Sequence, residues 1–288
     1  MGTRVDLSGK RIVVTGGSMG IGLACAESCL EAGARVLICA RTEGPLMQAL
    51  DGLRQKGFAQ VEARTVDVTD QGQVEAVLQA TVARFGGLEG VIHCAGIYGP
   101  IGPVMEVDPS AWFDAVRINL FGTFLVARQS CRLLKACGGG RIVLFSGGGA
   151  ATPFPNFTAY ACSKVGVVRL TETLAQEMQP FNVEINCVAP GFVITRLHQS
   201  TLAAGERAGK AFLENTKRQI ETGGVPATVG AGAAAFLVSD EAKGITGKFV
   251  AAPYDGWDGW RRHLEELQKM DIFTLRRIVP KDRGMDWQ

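Results

Sequence analysis

The stretch Arg11-Ile12-Val13-Val14-Thr15, followed by Gly16-Gly17-Ser18-Met19-Gly20-Ile21-Gly22 and then a helix-like run from Leu23 to Ala32, decides the fold. The short β-branched run reads as a buried strand, and the glycines that end it mark a tight turn. A helix begins directly afterwards. In the order strand, glycine loop, helix, backbone N–H groups and the helix N-terminus face the same point, which suits an anion such as a pyrophosphate. A plain strand-to-helix turn is the bland alternative.

A second strand, Arg35 to Ala40, ends about twenty residues past the loop, where an acidic residue would hold the ribose 2′-hydroxyl of NAD. Ala40-Arg41 stands there instead. A guanidinium suits a 2′-phosphate, so Arg41 favours NADP, with NAD possible. Beyond it the alternation continues, with 43–56 helical, 61–67 extended, 71–85 helical and Leu88 to Cys94 a strand. A long helical pattern spans 110–136, with strands at 141–146 and 183–188. Strands separated by helices predict an α/β, doubly wound parallel sheet with both faces covered. Ligands then sit beyond the strands' carboxyl ends, which here carry the glycine loop, Cys94-Ala95-Gly96, Ser146 and Ala189-Pro190-Gly191.

Composition narrows the function. The 288 residues carry a net charge of +2, with no run of like charges that would hold a nucleic-acid backbone. No apolar run reaches the roughly 18 residues of a membrane span, and Met1 to Asp6 lacks a signal-peptide core. A cytoplasmic location is expected. The eight cysteines include no Cys-x-x-Cys pair and read as buried, reduced thiols, and with only three histidines, far apart, no metal site is expected.

Tyr160-Ala161-Cys162-Ser163-Lys164 opens a further helical run. Four-residue spacing stacks the phenol and the ammonium on one face. A neighbouring cation lowers a phenol's pKa and prepares it for proton transfer at an alcohol or carbonyl oxygen. Taken alone, such a spacing more often marks a surface pair.

Together these stretches resemble the short-chain dehydrogenase/reductase family, single-domain branch, over roughly residues 7–256. Thr15 to Gly22 is similar to the family's Thr-Gly-x-x-x-Gly-x-Gly cofactor loop, placing Gly16, Ser18, Met19, Gly20, Ile21 and Gly22 at the nucleotide. Asp67-Val68 resembles the pair at the adenine ring, and Ala95-Gly96 the turn after the fourth strand. Asn119 matches the residue that holds a proton-relay water beside the lysine. Pro190-Gly191-Phe192-Val193-Ile194-Thr195 looks like the segment that docks the nicotinamide, through Pro190, Gly191, Val193 and Thr195. The resemblance implies hydride transfer between a nicotinamide and a secondary alcohol or ketone, with Tyr160 as general acid/base and Lys164 lowering its pKa while holding the ribose. It also implies a small-molecule alcohol or carbonyl substrate and a homo-tetramer or homo-dimer.

The chain departs from the family pattern in three places. His93-Cys94 replaces two small polar residues. Met19 occupies a loop position where NADP-preferring members often carry a cation. Gly147 occupies the position of the family's catalytic serine, with Ser146 one residue early and Gly148-Gly149 following. Glycine flexibility can bring the Ser146 hydroxyl to the substrate, or Ser146 can merely close the strand. A catalytically impaired regulatory or scaffold protein of the same fold is therefore the rival reading.

Ile97, Tyr98, Phe154 to Phe157 and the stretch 197–219 are candidates to line the substrate site. The family pattern ends near Gly256, making 1–256 the catalytic domain and 257–288 an extension. In the extension Trp260, Leu264, Leu267 and Met270 form an apolar helical stripe. It is expected to pack on the domain, or else to reach a partner subunit or close the substrate pocket with Trp257, Trp260 and Arg276-Arg277.

Overall fold

A computed structural model describes residues 5–286; the sequence reading of the extreme amino terminus falls partly outside these. Seven parallel strands form one sheet in the order β3-β2-β1-β4-β5-β6-β7. The strands are β1 (Arg11–Thr15), β2 (Arg35–Ala40), β3 (Val61–Thr65), β4 (Gly90–His93), β5 (Gly140–Phe145), β6 (Val183–Ala189) and β7 (Phe249–Ala251). The strand order reverses between β1 and β4, and the crevice outside that point is where an open parallel sheet receives a ligand.

Side chains alternate along each strand, so the sheet feeds two cores. Ile12, Val14, Ile92, Val143 and Val188 face α1 (Gly20–Glu31), α2 (Glu43–Gln55) and α9 (Ala227–Val238). Val13, Val91, Ile142, Leu144 and Cys187 face α3 (Gln71–Phe85), α5 (Gly122–Ala136) and α6 (Thr158–Met178). With both faces covered, the strands read as continuous apolar runs. Five cysteines are buried, Cys94 is partly so, and Cys137 and Cys162 are exposed; all eight are free. Among the described residues no helix is long and apolar enough to cross a membrane.

The helical pattern over 110–136 is not one α-helix. It divides into α4 (Pro109–Val116), a π-helical turn at Arg117–Phe121 and α5. Such turns insert a residue into an otherwise regular helix and often lie at functional sites. This one carries Asn119.

The extension docks on its own domain. Trp257–His263 forms a 3-10 segment and Leu264–Lys269 the short α10, with α7 (Arg196–Ala204) and α8 (Lys210–Thr222) preceding them in the chain. Trp260 and Leu267 are buried and Leu264 packs on the same core, whereas Met270, expected in the stripe, is exposed because the chain leaves the helix there. Beyond α10 the backbone runs along the free edge of β7. Phe249 N–H donates to the Phe273 carbonyl (2.8 Å), and the Lys248 ammonium donates to the carbonyls of Met270 (3.1 Å) and Ile272 (3.0 Å). Glu172 of α6 accepts from Leu275 N–H at 2.6 Å. The Trp260 ring lies 4.5 Å from Phe273, and Trp257 packs on Phe236.

An uncovered strand edge is a template for pairing with another chain, and burial of each large apolar side chain contributes ~1.5–3 kcal/mol. Cutting the chain after Gly256 is therefore expected to lower unfolding stability by at least ~3 kcal/mol and to increase self-association. Denaturant unfolding and size-exclusion chromatography check this; a truncated chain of unchanged stability and size contradicts it.

Candidate active site

The β1–α1 turn can hold a pyrophosphate. Gly16 has φ 69°, and a Cβ there would come within 2.8 Å of Ala95 N, while a Cβ on Gly22 would collide with the Gly16 carbonyl. Only glycine permits this packing of turn, helix and neighbouring strand end. Ser18 and Met19 form the turn into α1; Met19 is its N-cap, in extended conformation with no side-chain cap, and the first turn of α1 has no acidic residue. The helix N-terminus thus offers backbone donors and a partial positive charge without a competing acceptor. Thr195, the N-cap of α7, approaches within 3.3 Å of a Cβ built on Gly20. The segment after β6 therefore reaches over the glycine loop. Gly191 has φ 80°, with Pro253 packed where a side chain would go, and Val193 N–H donates to the Gly191 carbonyl (3.1 Å).

At the other end of this groove, Asp67 accepts from Thr69 N–H (2.9 Å) and its hydroxyl (2.8 Å). Burial works to raise the Asp67 pKa, but these bonds, with Arg41 and Arg117 nearby, outweigh it and hold the carboxyl below its usual range. Arg41 is exposed just past β2. Val68 packs against Gly122 at the start of α5.

Asn119, Ser146, Tyr160 and Lys164 meet where β4, β5, α6 and the π-turn converge. Asn119 is fully buried; its carbonyl accepts from Ile97 N–H (2.8 Å), and its amide donates to the Ile97 carbonyl (2.8 Å) and the Ser163 hydroxyl (3.1 Å). Gly96 leaves the space that Asn119 and the Lys164 ammonium flank. Lys164 donates to the Phe145 carbonyl at 2.9 Å, and Ser146 donates its hydroxyl to the Lys164 carbonyl at 2.9 Å.

Two features differ from sequence expectation. The Lys164 ammonium is 5.5 Å from the Tyr160 ring centre, and one of its three donors goes to the Phe145 carbonyl. Burial, assisted by the nearby Tyr98, pushes the Tyr160 phenol above its ordinary range, and burial lowers Lys164 to about 8. The second feature is at Gly147, where any Cβ would collide with the Tyr160 hydroxyl.

Tyr160, Lys164, Gly147, Ile21 of the glycine loop and Pro190 line one cavity of about 390 Å³. Phe154, Phe192 and Phe212 wall its far side, with Tyr98 and His198 between. Sequence reading named Tyr98 and the span holding His198 only as possible lining. The cue it missed was Thr195-x-x-His198, spaced as a helix-capping pair; in the structure Thr195 N–H donates to His198 Nδ1 at 3.4 Å.

A sheet of this order, a glycine turn built for a pyrophosphate and a buried tyrosine–lysine pair at one cavity define a nucleotide-dependent oxidoreductase. Residues 10–205 match the family described as short chain dehydrogenase, and the chain belongs to that family, whose members move hydride between a nicotinamide and alcohols or ketones. It is 36% identical to cis-4-hydroxycyclohexanecarboxylate dehydrogenase of Sinomonas cyclohexanicum over 239 residues, 83% of this chain and 93% of that one. Its fold is similar to NAD+-bound xylitol dehydrogenase (TM-score 0.77, 26% identity, 85% of this chain and 98% of that one). It is equally similar to a variant of actinorhodin polyketide ketoreductase with NADPH (TM-score 0.77, 28% identity, 94% and 100% covered).

His93, at the end of β4, bears on stability. Its Nδ1 shares a 2.7 Å hydrogen bond with the Thr15 hydroxyl, its Nε2 is buried without a partner, and burial, aided by Lys164, lowers it to about 3. An unfolded histidine titrates near ~6.5. Between those values the unfolded chain binds a proton that the folded chain refuses, so the His93 contribution is intact above the unfolded value and is lost as pH falls. Going from pH 7 to pH 5 is expected to cost ~2 kcal/mol through this residue. Urea unfolding at both pH values checks this; a pH effect of the same size in His93→Asn contradicts it.

Proposed function

We propose that the protein is an NADP-preferring reductase of cyclic, largely apolar ketones, with Tyr160 as proton donor. The observation that carries this reading is the buried Tyr160 phenol at a cavity with aromatic walls that also reaches the glycine loop. A phenol facing the cavity can give its proton to a carbonyl oxygen as that oxygen becomes negative. Phe154 stacks on Phe157 at 4.3 Å and meets Phe212 edge-on at 4.9 Å. Such walls favour a ring-shaped apolar substrate over a polyol. The cyclohexane-based compound in the name of the Sinomonas relative is of that kind.

Arg41, Asp67 and Val68 would hold the adenosine end of the dinucleotide, and Gly16, Ser18, Met19, Gly20, Ile21 and Gly22 its pyrophosphate. Ala95, Gly96, Tyr160, Lys164, Pro190, Gly191, Val193 and Thr195 would hold the nicotinamide end. When bound it supplies the hydride. Lys164 would hold its ribose, and Asn119 fixes the Ile97 segment. The substrate oxygen, becoming negative as its carbon is reduced, takes the proton from the Tyr160 hydroxyl. Ser146 keeps α6 in place through the Lys164 carbonyl. Residues 1–256 form the catalytic domain and 257–288 an extension that completes its sheet edge. Assembly into a homo-oligomer uses the α4–α5 face, where Phe113, Phe121 and Phe124 are exposed.

The test is oxidation of NADPH and NADH by the purified protein with a panel of substituted cyclohexanones. Turnover faster with NADPH is expected, with Tyr160→Phe slower by ~10³-fold yet still binding nucleotide. Arg41→Ala is expected to weaken NADPH binding at least ~10-fold and leave NADH unchanged. Undiminished turnover in Tyr160→Phe would falsify the mechanism. Nucleotide binding without turnover on any carbonyl favours the regulatory rival that Gly147 suggests.

A further inference from the structure

Reduction of a carbonyl places negative charge on its oxygen, and a donor aimed at that oxygen typically contributes 10²–10³ in rate. Neither residue at the end of β5 supplies one. Gly147 has no side chain, and the Tyr160 hydroxyl fills the space that one would need; the Ser146 hydroxyl is committed to the Lys164 carbonyl. Elsewhere around the cavity, Thr195 lies over the glycine loop beside Gly20, and Thr152 and Tyr254 are exposed.

Tyr98 differs from all of these. It is only 7% exposed, lines the cavity, and meets the Tyr160 ring edge-on at 4.8 Å. Its backbone is fixed on both sides. Asn119 holds the N–H and the carbonyl of Ile97, and Gly99, at φ 72°, packs where a side chain would collide with Ala115 of α4.

The Tyr98 oxygen lies 3.4 Å from His198 Nε2. That is a long contact, of the kind that tightens when a substrate enters. Thr195 N–H donates to His198 Nδ1 at 3.4 Å, and the ring also meets the Val193 backbone; in the tautomer with its proton on Nε2, the imidazole donates to Tyr98. The His198 ring is only 6% exposed and lies 3.9 Å from the Phe192 ring, centre to centre, which fixes its plane. In that tautomer the Tyr98 oxygen accepts from His198 and its own proton is free for the cavity.

We propose that Tyr98 is a catalytic residue whose hydroxyl, oriented by the positioning residue His198, donates to the substrate oxygen the hydrogen bond that Gly147 cannot. Tyr98 keeps its proton throughout. The proton that ends on the product oxygen comes from Tyr160, and the hydride that ends on carbon comes from the nicotinamide. Charge forming on the substrate oxygen is shared between two phenols instead of a phenol and a serine. This assignment rests on the reductase reading above.

The test uses the full-length protein, NADPH and the best substrate of the cyclohexanone panel. Tyr98→Phe keeps the ring and removes only the hydroxyl. It is expected to lower kcat by ~10²-fold with KM changed less than about threefold, and with melting temperature and NADPH affinity unchanged. His198→Ala is expected to lower kcat by ~10-fold with KM likewise held, and His198→Gln, which restores a donor, to recover part of that loss. If wild type turns over and Tyr160→Phe does not, but Tyr98→Phe keeps its kcat, the Tyr98 assignment is overturned and the reductase reading stands. A Tyr98→Phe defect confined to KM or to folding makes Tyr98 a wall of the pocket and also overturns it. Wild-type protein inert with every carbonyl and both nucleotides overturns both.

Discussion

A reciprocal pair of hydrogen bonds between the end of β5 and α6 sets the geometry on which the site depends. The Lys164 ammonium donates to the Phe145 carbonyl, and the Ser146 hydroxyl donates to the Lys164 carbonyl. A helix lying on a sheet can slide; two bonds in opposite directions between adjacent strand residues and one helical residue fix its register. One turn earlier on α6, Tyr160 is thereby held over Gly147, its hydroxyl occupying the space a side chain there would take. Burying an ammonium is costly unless it is bonded, and the Phe145 carbonyl offsets part of that cost while keeping the charge close to the cavity.

The same clamp sets where the Lys164 charge lies relative to Tyr160. In the sequence, Lys164 is the cation beside Tyr160. In the structure its hydrogen bond points into the sheet, and burial dominates the phenol.

The sheet was legible because its signals are local. Runs such as Arg11 to Thr15 and Val183 to Val188 are short and apolar, and the glycines after β1 have one physical use. Gln71–Phe85 is bounded in the structure as in the sequence because Asp70 caps it and Gly86 ends it in the left-handed region. Asn119 was legible as a residue but its π-turn was not, since one inserted residue leaves the apolar pattern of 110–136 almost undisturbed. The stripe in the extension was half legible: Trp260 and Leu267 are buried, whereas Met270 lies where the backbone turns to follow β7, a path set by Lys248 and Glu172 from distant parts of the chain. The Tyr98–His198 contact joins residues 100 positions apart and has no local signature.

The central claim is that hydride passes from the nicotinamide to a carbonyl carbon while Tyr160 protonates its oxygen. It is tested most directly by supplying NADPH deuterated at the transferable C4 position, with a substituted cyclohexanone, in ordinary water. Mass spectrometry of the alcohol is predicted to show one deuterium on the carbinol carbon and none on oxygen. Alcohol formed without deuterium on that carbon would contradict the account.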